Sequence, residues 1–327
     1  GNFGIDYNNA KHKVYMPKTT LYGKKSNGKA DISQMDKNDY LFELTANYTK
    51  KFNDHNLSAL AGYSFQQFNR EGLWLGNSDF ITDSFLYNNM GIGNYEKPTV
   101  GTNASKNEMA SFFGRVNYSF RDRYLFTATL RADGASNFAK GNRWGFFPSI
   151  QGAWVISNED WFNPTKGVNM LKVNAGFESV GNDALNNNAS FTYMQGNVFL
   201  GQMVTGVGIT NIGNTKLRWE TTNRFTAGLE GNFLNNRLNM RLNYFRSTTS
   251  NLITLGTLSY VAGLKNYWTN DGEMKNEGFD FAFNAKVVNE RNFKFELGAS
   301  VGHYKNELTK LPAGVSEFMT DMYGGTV

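Results

Sequence analysis

The chain contains no cysteine, which excludes a disulfide framework, a thiolate zinc site and a cysteine nucleophile together. Histidine is scarce as well: only His12, His55 and His303 occur, none with a second histidine or a carboxylate at ligand spacing. No P-loop, no G-x-G-x-x-G ahead of a helix and no Ser–His or Asp–His constellation is found, so neither an enzyme, a cofactor nor a metal is expected. No run of about 18 apolar residues exists, which rules out a spanning helix. Charged residues amount to 19%, below the usual ~25%, and the net charge of +5 is spread along the chain without a basic arm of the nucleic-acid-binding kind. Prolines number only 5 in 327 residues.

What is abundant instead is aromatic residues, at 15%, and 34 glycines, together with Asn and Thr. Good helix formers are correspondingly few, so the composition predicts an all-β protein. The sequence alternates with period two over long stretches. Tyr40, Phe42, Leu44, Ala46 and Tyr48 share one face, opposite Glu43, Thr45 and Asn47. Ala110, Phe112, Gly114, Val116, Tyr118 and Phe120 repeat the pattern, and so do Phe279, Phe281, Phe283, Ala285 and Val287 against Asp280, Asn284 and Lys286. About ten complete strands are read this way. An eleventh, partial one carries Phe3, Ile5 and Tyr7, and a loop over about 9–39 is expected to follow it.

Connections alternate in length. Short ones are expected near 51–55, 121–123, 158–168, 234–236 and 289–292, and long ones near 67–107, 132–144, 179–218 and 248–275. That is the pattern of an up-and-down antiparallel sheet with turns at one end and loops at the other. Strand length separates the lipid reading from the soluble one. Runs of about 10–14 residues, tilted by ~40°, cover roughly the ~25 Å apolar band of an outer-membrane barrel, whereas soluble strands average about 5–6 residues. Rings near strand ends, including Tyr48, Tyr118, Phe120, Tyr124, Trp154 and Trp161, suit a headgroup boundary. The charges Glu43, Arg115, Arg131, Lys172, Glu178, Arg224, Glu230 and Arg241 fall on the opposite, lumen-facing series. Pro148 is expected near a strand start or bulge, because mid-sheet it forfeits a ladder bond. His55 reads as a solvated turn residue, and Asp133-Gly134 as a turn at a strand end.

Two stretches resemble a known family. Arg131-Ala132-Asp133-Gly134-Ala135-Ser136-Asn137-Phe138 is followed by Asn142–Ser149, Ala153-Trp154 and Glu159-Asp160-Trp161-Phe162. Lys216-Leu217-Arg218-Trp219-Glu220-Thr221-Thr222 continues through Gly228-Leu229 to Phe233–Leu238, with Val180-Gly181-Asn182 in between. In combination these are similar to the mid-barrel signature of SusC-like TonB-dependent transporters of Bacteroidota, over about Tyr40 to Lys310. The resemblance implies a 22-stranded outer-membrane barrel closed by an N-terminal plug, a SusD-like surface lipoprotein and energy from the TonB complex through that plug. It implies import of a nutrient of the oligosaccharide or peptide class.

On this reading residues 1–327 are the central part of one barrel domain, about 11 strands of the larger barrel. The plug and terminal strands are not in this chain, and further strands precede Gly1 and follow Val327. A passive pore or structural barrel is the alternative; a secreted glycan-binding β protein is a third reading. The expected partners are the SusD-like lipoprotein, the TonB complex and outer-membrane lipid, not nucleic acid. Six loop aromatics are the candidate substrate contacts: Trp74, Tyr87, Tyr95, Tyr193, Tyr260 and Trp268.

Overall fold

A computed structural model describes residues 1–94, 98–163, 167–185, 189–190, 193–199, 202–258, 266–311, 319–320 and 325–326. Within 193–199, 202–211, 319–320 and 325–326 it describes the backbone alone. The strands are β1 (Asn2–Met16), β2 (Lys29–Phe52), β3 (His55–Ser78), β4 (Thr99–Phe120), β5 (Tyr124–Ala135), β6 (Trp144–Val155) and β7 (Val168–Asn182). They continue as β8 (Tyr193–Phe199), β9 (Gln202–Asn211), β10 (Glu220–Phe233), β11 (Leu238–Thr257), β12 (Asn266–Asn289) and β13 (Lys294–Lys310), then two-residue β14 (Met319–Thr320) and β15 (Gly325–Thr326). One helical turn, α1 (Leu21–Lys24), lies between β1 and β2. Eleven strands form one sheet in chain order from β1 to β13, with β8 and β9 set aside as their own hairpin. Contacts divide the chain into two compact units, Gly1–Leu44 with Ser64–Met109, and Thr45–Tyr63 with Ala110–Val327.

The short connections fall where expected, and their backbone explains their composition. Asn53, Asp122, Asn235 and Asn236 have φ between 50° and 61°. Asn and Asp tolerate that left-handed region better than other residues with a side chain.

The long connections are much shorter than the sequence suggests. The stretch expected as loop over 9–39 is mostly ladder, paired from Asn2↔Glu43 to Met16↔Lys29. Similarly β3 runs to Ser78, β4 starts at Thr99, β11 runs to Thr257 and β12 starts at Asn266, while 179–218 holds the β8–β9 hairpin. These extensions reach past the apolar stripe, where both faces of a hairpin meet water and alternation has no cause. Backbone bonds and polar cross-strand pairs such as Asn9–Asp36 and Arg70–Asp39 hold them instead.

In the second unit, register turns alternation into surfaces. Tyr124, Trp154, Val173, Leu229, Leu242, Phe281 and Val301 are successive cross-strand neighbours over seven strands. The adjacent row on the other face reads Leu125, Ala153, Asn174, Gly228, Asn243, Asp280 and Gly302. The apolar face is bare: Leu229 is 43% exposed, Phe279 44% and Val301 59%. Among the described residues no second sheet covers it, which removes the dry-sandwich arrangement. Along β12 the apolar series runs from Val287 to Phe279 and then gives way to Glu277. Nine residues make ~30 Å, or ~23 Å when tilted ~40°, close to the ~25 Å lipid band.

Burial is concentrated in the loops. Phe80 and Ala30 are fully buried in the first unit, and Phe138, Leu217, Trp219 and Phe147 are buried in the second. A sheet with lipid on one side and water on the other needs no packed layer beneath it.

Two local expectations change. Pro148 lies inside β6, facing Leu130. The β6–β7 register starts one residue later, at Ser149↔Glu178, so the missing N–H costs no bond to β7. Asp133-Gly134 is not a turn but part of the β5 ladder, opposite Gly145 and Trp144. Gly134 is needed there because a Cβ would sit 2.8 Å from the Trp144 indole.

Candidate functional site

The polar face of the second unit is a wall of matched charges. Glu230 lies between Lys172 and Arg241 in register, with Lys172 Nζ 3.4 Å from Glu230 Oε2. Arg224 and Glu178 are cross-strand partners at 3.8 Å, and Asn243 donates to Asp280 at 2.8 Å. All of these groups but Glu178 line a recess of about 450 Å³. Exposed pairs of this kind add little stability, so the wall's consequence is wettability. Further along, Arg115 donates to Thr129 at 3.2 Å, and Arg131 lies over the Phe113 ring while bonding Asp133 and Ser111. Glu43, in the first unit, is opposite Asn2.

At the loop end of the second unit, the two motif stretches meet in a knot on this polar face. Phe138 and Phe147 each approach Trp219 with ring centroids 5.4 Å apart. Trp219 Nε1 donates to the Arg143 carbonyl at 2.8 Å, and Asn142 donates to the Thr215 carbonyl at 3.1 Å. Gly181 belongs to the same knot, since a Cβ there would lie 2.0 Å from Phe147. The motif residues therefore build a lid-like plug of packing, not a catalytic group. Burial raises the Asp183 carboxyl beside it.

At the turn end, a cluster forms that sequence reasoning missed. Glu159 accepts from Tyr124 Oη at 2.6 Å, from Trp154 Nε1 at 2.8 Å and from Arg123 at 3.2 Å. Arg123 also clamps Asp160. The Tyr124 and Trp154 hydrogen bonds, with Arg123 behind them, hold the Glu159 carboxyl below its ordinary value. Its partners lie 35, 5 and 36 residues away, so no local pattern reveals it. Nearby, His55 is not merely solvated: it stacks on Phe52 and shares a 2.7 Å hydrogen bond with Tyr118.

Because the folded carboxyl is depressed, its contribution is present above the unfolded value near about 4.3 and is lost as pH falls through the folded one. Glu159→Gln in the full-length protein should therefore lower the temperature of heat modification on gels at neutral pH. The deficit against wild type should shrink in strong acid. An unchanged melting temperature at neutral pH would refute the anchoring role.

Of the six candidate substrate contacts, Trp74, Tyr87 and Trp268 have described side chains, on separate elements. Trp74 lies on β3 and Trp268 on β12, so both are strand residues and not loop residues. The Trp74 indole covers Gly101, where a Cβ would be 1.9 Å from the ring. Tyr87 does lie in a loop, with Lys13 Nζ 5.2 Å from its ring centroid. Trp268 is half-buried, and its carbonyl accepts from Asn214. Tyr193 is on the backbone of β8, and Tyr95 and Tyr260 fall outside the described residues.

A long-stranded antiparallel sheet with one uncovered face that is apolar across a lipid-thick band and one charged face is a segment of a transmembrane β-barrel of the outer membrane. The sequence model of the family described as "TonB dependent receptor-like, beta-barrel" matches residues 1–322, and the chain belongs to that family. It is 31% identical over 325 residues to TonB-dependent receptor P3 of Formosa agariphila, covering 98% of this chain and 32% of that protein. It is also 31% identical over 295 residues to TonB-dependent receptor SusC of Bacteroides thetaiotaomicron, covering 87% of this chain and 28% of that protein. The structure of the RagAB peptide transporter matches 99% of this chain and 36% of that chain at a TM-score of 0.88 and 23% identity, a likeness of fold. The chain spans about a third of the length of the curated relatives it matches.

Proposed function

We propose that the full-length protein imports a nutrient of the oligosaccharide or peptide class across the outer membrane. Transport is driven by the TonB complex through a plug and assisted by a SusD-like surface lipoprotein. This chain supplies the central part of the barrel wall. The observation that carries the reading is the pairing of opposite faces: the row ending in Phe281 and Val301 meets lipid, and the Lys172–Glu230–Arg241 row meets a watery or plugged interior. Membership in the family and the names of the relatives, all TonB-dependent receptors, support the energy source. Among the described residues the outer edges of β1 and β13 have no partner in the sheet, and unpaired ladder groups facing lipid cost several kcal/mol each. Further strands therefore cover those edges.

Among the three candidates whose side chains are described, Trp74 is the one we propose to contact substrate. Its ring is backed by Gly101 and 43% exposed, leaving a flat face for a sugar ring or an apolar side chain. The test is uptake of labelled oligosaccharide and peptide pools by cells carrying the full-length protein, with and without TonB. Uptake of one pool that vanishes without TonB is expected, with Trp74→Ala reducing it several-fold. Uptake that persists without TonB supports a passive pore instead.

A further inference from the structure

The apolar face of the second unit is not evenly bulky. Over β10–β13 it carries Leu229, Leu242, Phe281 and Val301 side by side. From β2 to β5, which are neighbours in the sheet, the side chains of this face shrink to Ala46, Ala59, Ala61, Gly114 and Ala128. These five floor a recess of about 520 Å³, walled by Tyr48 and Leu130. Both walls stand clear of the sheet, at 55% and 56% exposed.

Rings bound the recess at both ends. Toward the loops, the Phe112 centroid lies 5.0 Å from that of Tyr63 and 6.0 Å from that of Trp144. Toward the turns, His55 packs against Phe52 at 4.9 Å, Phe120 at 4.8 Å and Tyr118 at 5.9 Å. Behind the floor, on the lumen side, the Phe113 ring fills the space over Gly62, where a Cβ would be 2.3 Å from it. Cations stand at the turn-end rim. Lys50 follows Tyr48 on the same face and is exposed, and among the described residues it has no ion-pair partner. The Arg121 guanidinium lies 5.3 Å from the Phe120 ring centroid.

We propose that this recess is a site for a glycerophospholipid of the periplasmic leaflet. One acyl chain lies over the alanine floor, and the phosphate rests against Lys50 and Arg121. The recess opens on the face that meets hydrocarbon, so its occupant comes from the bilayer. The short turns of an outer-membrane barrel are periplasmic, which puts the cationic rim in the headgroup layer of that leaflet. Ala46 is four residues from Lys50, ~13 Å along the strand or ~10 Å in depth at a tilt of ~40°, a span that one chain covers. A chain on the bulky part of the wall is touched from one side, whereas a chain in the recess gains dispersion contacts from floor and walls together.

The experiment titrates the full-length protein in detergent with dipalmitoyl phosphatidylethanolamine and, separately, with lipid A, and counts bound lipid by native mass spectrometry. Three variants are compared: Ala59→Leu with Ala128→Leu, which fills the floor; Lys50→Gln; and Ala285→Leu, the same change elsewhere on the apolar face. Each is checked for an unchanged heat-modifiable gel band. One tightly held phosphatidylethanolamine per barrel is expected, with binding about tenfold weaker in the filled variant, about fivefold weaker in Lys50→Gln and unchanged in Ala285→Leu. Undiminished binding by the filled variant and Lys50→Gln overturns the site, and so does an equal loss in Ala285→Leu. A preference for lipid A assigns the recess to the other leaflet and overturns the proposal. Dissociation of a dimer in the filled variant, with phospholipid binding unchanged, makes the face a contact between copies and overturns it as well.

Discussion

Trp219→Ala is expected to free the loop knot of the second unit, at about 3–5 kcal/mol of local stability, the usual range for deleting a buried tryptophan. Trp219 is 7% exposed, touches Phe138 and Phe147, and bonds the Arg143 carbonyl. Among the described residues no layer lies beneath the sheet to share the loss, so the effect should be local and leave the strands folded. Limited proteolysis within 136–143 should accelerate by about two decades or more, since about 1.4 kcal/mol is a factor of ten, while the heat-modifiable band of the barrel persists. Trp219→Phe should fall in between, keeping the ring contacts and losing a hydrogen bond of about 1 kcal/mol. Cleavage at the wild-type rate in the alanine variant would mean that the knot is not held by this ring.

The second large effect distinguishes the two faces. Phe281→Arg should destabilise the full-length protein by about 2–4 kcal/mol, the cost of a cation near the bilayer midplane. Phe281 neighbours Leu242 and Val301 on the apolar face and lies within the Phe279–Val287 band, two residues from its centre at Phe283. Asn284→Arg, three residues on and on the opposite face, should be nearly neutral, as it joins a wall that already carries Lys172, Arg224 and Arg241. Folding into lipid vesicles over a urea series measures both. A reversed ranking of the two variants would invert the sheet.

How much was legible follows from what the solvent imposes. Inside the bilayer each residue must face either lipid or water, so the stripes at Tyr40–Tyr48 and Phe279–Val287 can be read directly, together with the turns between them. Above it that constraint ends, and Ala10–Met16 against Lys29–Met35 looks like loop although it is ladder. The motifs around Asp133 and Trp219 identify the family, but their physical role, a knot joining residues more than 70 apart, depends on contacts that period and composition do not encode. Glu159 is hidden for the same reason. The one local signal is an acidic pair placed shortly after a strand that ends in Trp154-Val155.

The dry interiors of this molecule belong to its loops. The second unit's knot is a miniature hydrophobic domain whose halves enter from separate parts of the chain: Phe138 from the β5–β6 connection with Phe147 from β6, and Leu217 and Trp219 from the segment ahead of β10. Loop exchange between relatives should therefore succeed only when both halves travel together. A transplant of 136–147 without 212–219 strands half a core in water, whereas the joint graft carries its own cohesion onto any wall of matching stagger.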